Sequence, residues 1–249
     1  ERLTSSPYIV KMFGHCAASL TVQPIDFEIE EYIVPGEGYS KQEDLLDEDD
    51  VQPRNDYTPS EKLEIALDMA RSLSVLHGYE GGVIVHDDVQ LCQWLRNRKN
   101  KLVLGDFNRA EIRDWNEEKG EYCKHTNGYA YGNYRAPEEF AGKELDEQID
   151  VFSLGNNVYA LMTGLWPFYE NEDDTVVQNE LVDGKNAFID NRYRTRSYGE
   201  GKMVELIEMC WQFQPEDRPD IFEIIRFLER AYDEAKFRES LGQQKASNY

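Results

Sequence analysis

Apolar positions in the first 35 residues come in short bursts without a helical period: Tyr8-Ile9-Val10, Leu20-Thr21-Val22 and Tyr32-Ile33-Val34. Brief runs of β-branched and aromatic residues favour extended backbone, so three strands of a small sheet are expected here. Gly36 and Gly38 then open a polar, acidic stretch to Asn55 with no sustained period, expected as a loop or short helix with a flexible insert. The pattern changes at Thr58-Pro59-Ser60-Glu61. A capping threonine, proline at the first helical position and glutamate three residues after the cap satisfy the open amides of a helix start. Behind it Leu63, Ala66, Leu67, Ala70, Leu73 and Leu76 recur at three- and four-residue steps up to His77, with Glu64, Asp68 and Arg71 on the other side. A helix packed by one stripe is predicted.

Val83-Ile84-Val85 and Leu102-Val103-Leu104 are expected as short buried strands, with a polar turn from Arg96 to Lys101 between Trp94-Leu95 and the second run. From Ile149 to Met162 apolar residues face nearly every direction, the pattern of a helix at the centre of a helical layer. Amphipathic helices are predicted over Lys202 to Phe213 and Asp220 to Phe237, followed by a polar tail over 238–249. The chain shows neither an internal repeat nor a second domain.

With 249 residues, 40% of them hydrophobic, the chain can bury a sizeable core. No apolar stretch approaches the roughly 18–20 residues needed to cross a bilayer, and no signal peptide opens the chain. An intracellular, cytoplasmic protein without membrane insertion is expected. The start at Glu1, directly before a strand, suggests that upstream sequence completes the same domain. A net charge of −22 argues against a nucleic-acid backbone or anionic lipid as partner and suits a basic peptide better. The acidic run from Glu43 to Asp50 reads as a solvated loop. Cys16, Cys92, Cys123 and Cys210 are scattered without a Cys-x-x-Cys pair and are expected as reduced structural thiols.

Three segments carry candidate chemistry: Val85-His86-Asp87-Asp88-Val89, Leu104-Gly105-Asp106-Phe107-Asn108 and Tyr134-Arg135-Ala136-Pro137-Glu138. In order and spacing they resemble the His-Arg-Asp, Asp-Phe-Gly and Ala-Pro-Glu signatures of the protein kinase family. Asp150-Val151-Phe152-Ser153-Leu154-Gly155, Gly164-Leu165-Trp166-Pro167-Phe168, Cys210-Trp211 and Pro215-Glu216-Asp217-Arg218-Pro219 continue the series. The resemblance implies an α+β, protein kinase-like fold that is mostly the helical large lobe. Residues 1–35 would be the last strands of the small lobe and its connector, 36–237 the large lobe and 238–249 a tail. Nothing in the chain resembles the glycine-rich loop, the lysine strand or the helix glutamate of a complete small lobe.

The resemblance also implies roles. Asp88 would be the catalytic base, Asp106 a magnesium ligand with Phe107 packed beneath it, and Glu31, Tyr32 and Val34 the connector that meets the adenine of ATP. His86 and Asp150 would brace the loop, and Glu138 would pair with Arg218 as a buried ion pair. Several letters depart from the family. Asp87 replaces an arginine that receives an activation-segment phosphate, so Tyr122, Thr126, Tyr129 and Tyr131 are expected as ordinary loop residues. Gln90 replaces a lysine and keeps a donor without charge, where charge neutralisation matters most. Gln93 replaces a magnesium-binding asparagine one methylene further out, although Mg2+ demands near-ideal octahedral placement. Asn108, in place of glycine, is expected to take a positive φ. The interval from Asp106 to Glu138 is long, and an insertion is expected around Trp115 to Cys123.

Two readings follow. One is a pseudokinase-like domain, weak or inactive in ATP-dependent phosphoryl transfer, that binds a protein substrate or scaffold partner in signalling. The other is an active ATP- and Mg2+-dependent serine/threonine or tyrosine kinase using Asp88, with the small lobe completed from upstream. The isolated chain is expected to be inactive, with an apolar lobe-facing surface prone to association.

Overall fold

The computed structural model describes residues 3–16, 19–34, 57–128, 132, 134–171 and 173–246. Strands β1 (Met12–Cys16) and β2 (Ser19–Val22) form an antiparallel hairpin whose Met12, Phe13, Leu20 and Val22 face solvent. Ahead of it the strand expected at Tyr8–Val10 is reduced to one parallel bridge between Ile9 and Leu104, with Val10 N–H donating to Leu104 O and Leu104 N–H to Tyr8 O. The strand expected at Tyr32–Val34 is not formed. Instead β3 (Ile25–Glu28) leads into a single helical turn, α1 (Glu30–Ile33). Ile25, Phe27 and Ile29 alternate as a strand requires, whereas Ile29 and Ile33, four apart, are both fully buried and Glu30 and Glu31 suit a helix start. The stretch 35–56, Tyr129 and Tyr131 lie outside the described residues.

Helix α2 (Pro59–His77) starts on the capping box: Thr58 Oγ1 accepts from Glu61 N–H at 3.3 Å, and the Glu61 carboxylate accepts from Thr58 N–H at 2.8 Å. Its apolar stripe is buried throughout. Next come β4 (Val83–Val85), β5 (Trp94–Asn97), β6 (Leu102–Leu104) and β7 (Glu111–Arg113). One sheet has the order β3-β5-β6 and a second pairs β4 with β7. Arg96 and Asn97 belong to β5, so the polar turn is shorter than expected. The segment around Trp115 forms a small hairpin, β8 (Trp115–Asn116) and β9 (Glu121–Tyr122), turned at Gly120 with φ +67 and held by the Trp115 and Tyr122 rings 5.1 Å apart.

The remainder is helical: α3 (Pro137–Phe140), α4 (Gln148–Thr163), α5 (Asp174–Val182), α6 (Tyr193–Arg196), α7 (Tyr198–Cys210) and α8 (Ile221–Ala246). Every residue from Ile149 to Thr163 is buried, which makes α4 the axis of the core. Gly155 lets α7 approach closely, since a Cβ there would lie 2.8 Å from Cys210 Cβ. Helix α7 starts before the expected Lys202, and Trp211 to Phe213 fall beyond its end. Helix α8 continues to Ala246 where a polar tail was expected from residue 238. Glu239 on that extension accepts from Ser60 N–H at 3.0 Å, so a polar contact at the start of α2 holds it. All four cysteines are free thiols, and no helix among the described residues is long and apolar enough to cross a membrane.

Candidate functional site

Strand β4 delivers His86, Asp87 and Asp88 into a turn built on one carboxylate. Asp150, in the first turn of α4, accepts from His86 N–H at 2.8 Å, Asp87 N–H at 2.9 Å and His77 Nε2 at 2.9 Å. A buried carboxylate needs such donors, and the helix N-terminus adds its own partial positive charge. The clamp holds Asp87 at φ +60, a left-handed conformation that costs a non-glycine residue about 1–3 kcal/mol. His86 donates Nε2–H to Gly105 O at 2.9 Å and meets the Phe107 ring edge-on at 5.3 Å. Gly105 N–H donates to Gln93 O at 3.0 Å, and Gln93 Nε2 donates to Asp88 at 3.1 Å. These contacts draw the loops of Asp88 and Asp106 to one edge of the core. Asp106 itself is exposed at φ +51, so the left-handed residue is Asp106 and not Asn108.

Asp88 is only 8% exposed and is saturated with donors. Its Oδ1 accepts from Arg135 Nη2 at 2.7 Å and the Tyr134 hydroxyl at 3.2 Å; its Oδ2 accepts from Gln93 and, at 3.3 Å, from Gln90. Arg135 is buried and also donates to Asp87 O at 2.7 Å and Glu139 at 3.1 Å. Burial works against the Arg135 charge, but Glu139, Tyr134 and Asp88 outweigh it and hold the pKa above the ordinary arginine value. Burial pushes the Tyr134 hydroxyl up to about 12 and the Glu139 carboxyl up to about 8, the latter against the pull of Arg135.

Position 87 carries a carboxylate where the family signature has an arginine, and donors from the following segment surround it. Asp87 accepts from Arg109 Nη2 at 3.3 Å and from Asn127 Nδ2, and lies 3.6 Å from Arg135. Burial raises its carboxyl pKa in spite of these partners. Arg109, Asn127 and Arg135, all from the segment after Asp106, thus converge on one buried anion. Further along, Arg218 grips Glu138 with two bonds of 2.6 and 2.9 Å, both residues buried. Asn157 accepts from Trp94 Nε1 and donates to Val89 O, while Asn156 accepts from Trp211 Nε1 and donates to Tyr134 O.

The connector residues are placed differently from a connector in extended form. Tyr32 N–H donates to Ile29 O at 3.0 Å and Val34 N–H to Glu30 O at 3.1 Å, which uses amides that an extended chain would present to a ligand. Among the described residues no hydrogen bond joins Glu31, Tyr32 or Val34 to Asp88, Gln90, Gln93 or Asp106. A groove of about 510 Å3 does lie beside the loop, its lining including Gln90, Tyr134, Trp166, Phe168 and Tyr169 together with the carboxylates Glu30 and Asp174. Cys92 also lines it, and burial together with Glu30, Glu28 and Asp88 pushes its thiol up to about 12.

For a magnesium nucleotide the residues fit in part. Asp106 offers an exposed carboxylate, and Mg2+ is commonly held by one or two carboxylates plus phosphate oxygens and water. Gln93 fits poorly, because its amide is committed to Asp88 through Nε2 and its carbonyl stands one methylene further out than that of the family's asparagine. Among the described residues no three His, Cys, Asp or Glu side chains converge as a metal cage. The motif letters included Tyr134 and Arg135 without giving either a role, and did not include Arg109, Asn127 or His77. The acidic letter at 87 was the available signal, since a buried anion calls for cations nearby.

Comparison with known proteins identifies the family. The protein kinase domain family model matches residues 2–227. Serine/threonine-protein kinase 12 of Arabidopsis thaliana is 33% identical over 171 residues, covering 69% of this chain and 36% of that protein. Integrin-linked protein kinase 1 of the same plant is 28% identical over 181 residues, covering 72% and 37%. Serine/threonine/tyrosine-protein kinase HT1, also from Arabidopsis thaliana, is 32% identical over 176 residues, covering 69% and 40%. The chain spans a little over a third of the length of these relatives. With the family model spanning nearly the whole sequence, the chain belongs to the protein kinase family.

Proposed function

We propose that this chain is the binding part of a pseudokinase-like protein in which ATP-dependent phosphoryl transfer is weak or absent. Residues 1–35 would be the end of its small lobe and 36–237 its large lobe. The observation that supports this reading is the state of Asp88. A general base needs a lone pair directed at the substrate hydroxyl, and both Asp88 oxygens already accept from protein donors, one of them a guanidinium at 2.7 Å. Gln90 adds no charge toward a phosphoryl group. The groove beside Tyr134 suits a basic segment of a protein partner, because Glu30 and Asp174 are carboxylates in its lining and Trp166 and Tyr169 are aromatic residues there. Four free thiols, two of them exposed, suit a reducing compartment such as the cytoplasm.

Retention of Asp88 and an exposed Asp106 favours the second reading, an active kinase that uses the ATP and Mg2+ general to the family. Incubation of the full-length protein, upstream sequence included, with labelled ATP, Mg2+ and a mixture of protein substrates separates the two. The binding reading expects no incorporation and the same background for Asp88→Asn. Incorporation that Asp88→Asn abolishes would overturn it.

A further inference from the structure

The turn between β5 and β6 places a cationic sequence, Arg96-Asn97-Arg98-Lys99-Asn100-Lys101, on a strongly acidic chain. Its asparagines build the turn. Asn97 Oδ1 accepts from Lys99 N–H at 2.9 Å and Lys101 N–H at 3.2 Å, Asn100 N–H donates to Asn97 O at 2.8 Å, and Asn100 takes φ +56. Arg96 is used internally, donating to Asn100 O at 3.0 Å. Arg98, Lys99 and Lys101 have no such duty: among the described residues none of their side chains forms an ion pair. Opposite them, Gln23 N–H donates to Lys11 O at 2.8 Å and fixes Lys11 on the facing wall.

Lys11, Gln23, Asn97, Arg98, Lys99 and Lys101 border a cavity of about 290 Å3 whose lining includes no carboxylate. Gln23 Nε2 is shielded from solvent without a hydrogen-bond partner. A buried donor left unmet is unfavourable, and it marks where an acceptor belongs. Lys99 and Lys101 are shared with a neighbouring groove, where the Lys101 charge acts on Asp68, so Lys11 and Arg98 carry most of the argument. The cavity opens at the Asn97 end of β5, about 10 Å along the strand from Trp94 and the catalytic-loop side.

We propose that this cavity binds a phosphate monoester, as carried by a phosphorylated peptide side chain. A dianion with three acceptor oxygens matches several cations and an amide donor, where a single carboxylate would engage fewer. An extended anionic surface, lipid or nucleic acid, is disfavoured because the rest of a −22 chain repels it. The site takes a phosphate that is already made and requires no transfer step.

Calorimetric titration at near-physiological salt tests this with a phosphoserine peptide, its unmodified form, inorganic phosphate and phosphatidylserine vesicles. Saturable binding of the phosphopeptide but not of the unmodified peptide is expected, weakened about tenfold or more by Lys11→Gln with Arg98→Gln. Gln23→Leu removes the amide donor alone and is expected to weaken binding less, which keeps the test usable if the double variant unfolds. Inorganic phosphate binding at the same variants' expense would assign the site to the free ion within the same chemistry. Affinity indifferent to all three substitutions, no saturation, or binding to vesicles without binding to the phosphopeptide would overturn the proposal.

Discussion

Arg135 ties together Asp87, Asp88 and Glu139 within a few ångströms and has almost no contact with water. Removing one partner of a buried charged network leaves the others uncompensated, typically at a cost of about 3–5 kcal/mol. Arg135→Gln should therefore lower unfolding free energy by about that amount in urea titrations, far more than the same change at exposed Arg230. A loss under about 1 kcal/mol would mean that the network is not held in solution. At position 87 the ranking of two substitutions is informative. Asp87→Asn keeps an acceptor for Arg109 and Asn127, whereas Asp87→Arg restores the family's letter beside Arg109 and Arg135 and adds like-charge repulsion. Hydrogen exchange of residues 109–128 should rise for Asp87→Asn and rise further for Asp87→Arg. The opposite order would show that the family's arginine still suits this pocket.

Helices α2 and α4 meet through Lys62, which is 2% exposed and donates Nζ to Met162 O at 3.1 Å. Burial lowers its pKa from 10.5 to about 8, with Glu200 opposing. Because the folded value lies below the unfolded one, the group's contribution to stability is complete above about 10.5 and is lost as pH falls through about 8. Wild type should thus gain stability between about pH 7 and 9.5 relative to Lys62→Met, both measured by urea unfolding; parallel pH profiles would contradict the shift. Elements such as α2 were legible because their signals are local: the cap, the proline and the stripe lie within one helix. The run Tyr32-Ile33-Val34 was not, since three apolar residues look alike in strand and turn, and the burial of Ile29 with Ile33 decides between them. Nor was the end of α8, because Glu239 finds Ser60 across 179 positions. Motif letters marked His86, Asp88, Asp106, Glu138, Asp150 and Arg218. The hold of Arg135 and Tyr134 on Asp88 depends on tertiary folding and leaves no trace in spacing.

Across the whole molecule two features oppose each other. The β1–β2 hairpin exposes Met12, Phe13, Leu20 and Val22 on one small unit, the kind of patch that drives apolar association. Net charge of −22 drives copies apart, but only over the screening length, about 10 Å at 0.1 M salt and about 3 Å at 1 M. Apolar contact is short-ranged and is not weakened by sodium chloride in this range, so added salt removes the repulsion and leaves the attraction. Sedimentation should accordingly find smaller species at low ionic strength and larger ones at high ionic strength, the reverse of an assembly held by ion pairs. Phe13→Lys with Leu20→Lys places charge on the hairpin without touching the buried core, and this variant should stay dispersed at both salt concentrations. If the double variant associates as wild type does, the contact lies elsewhere, and exposed Phe237 and Leu241 on α8 become the next surface to alter.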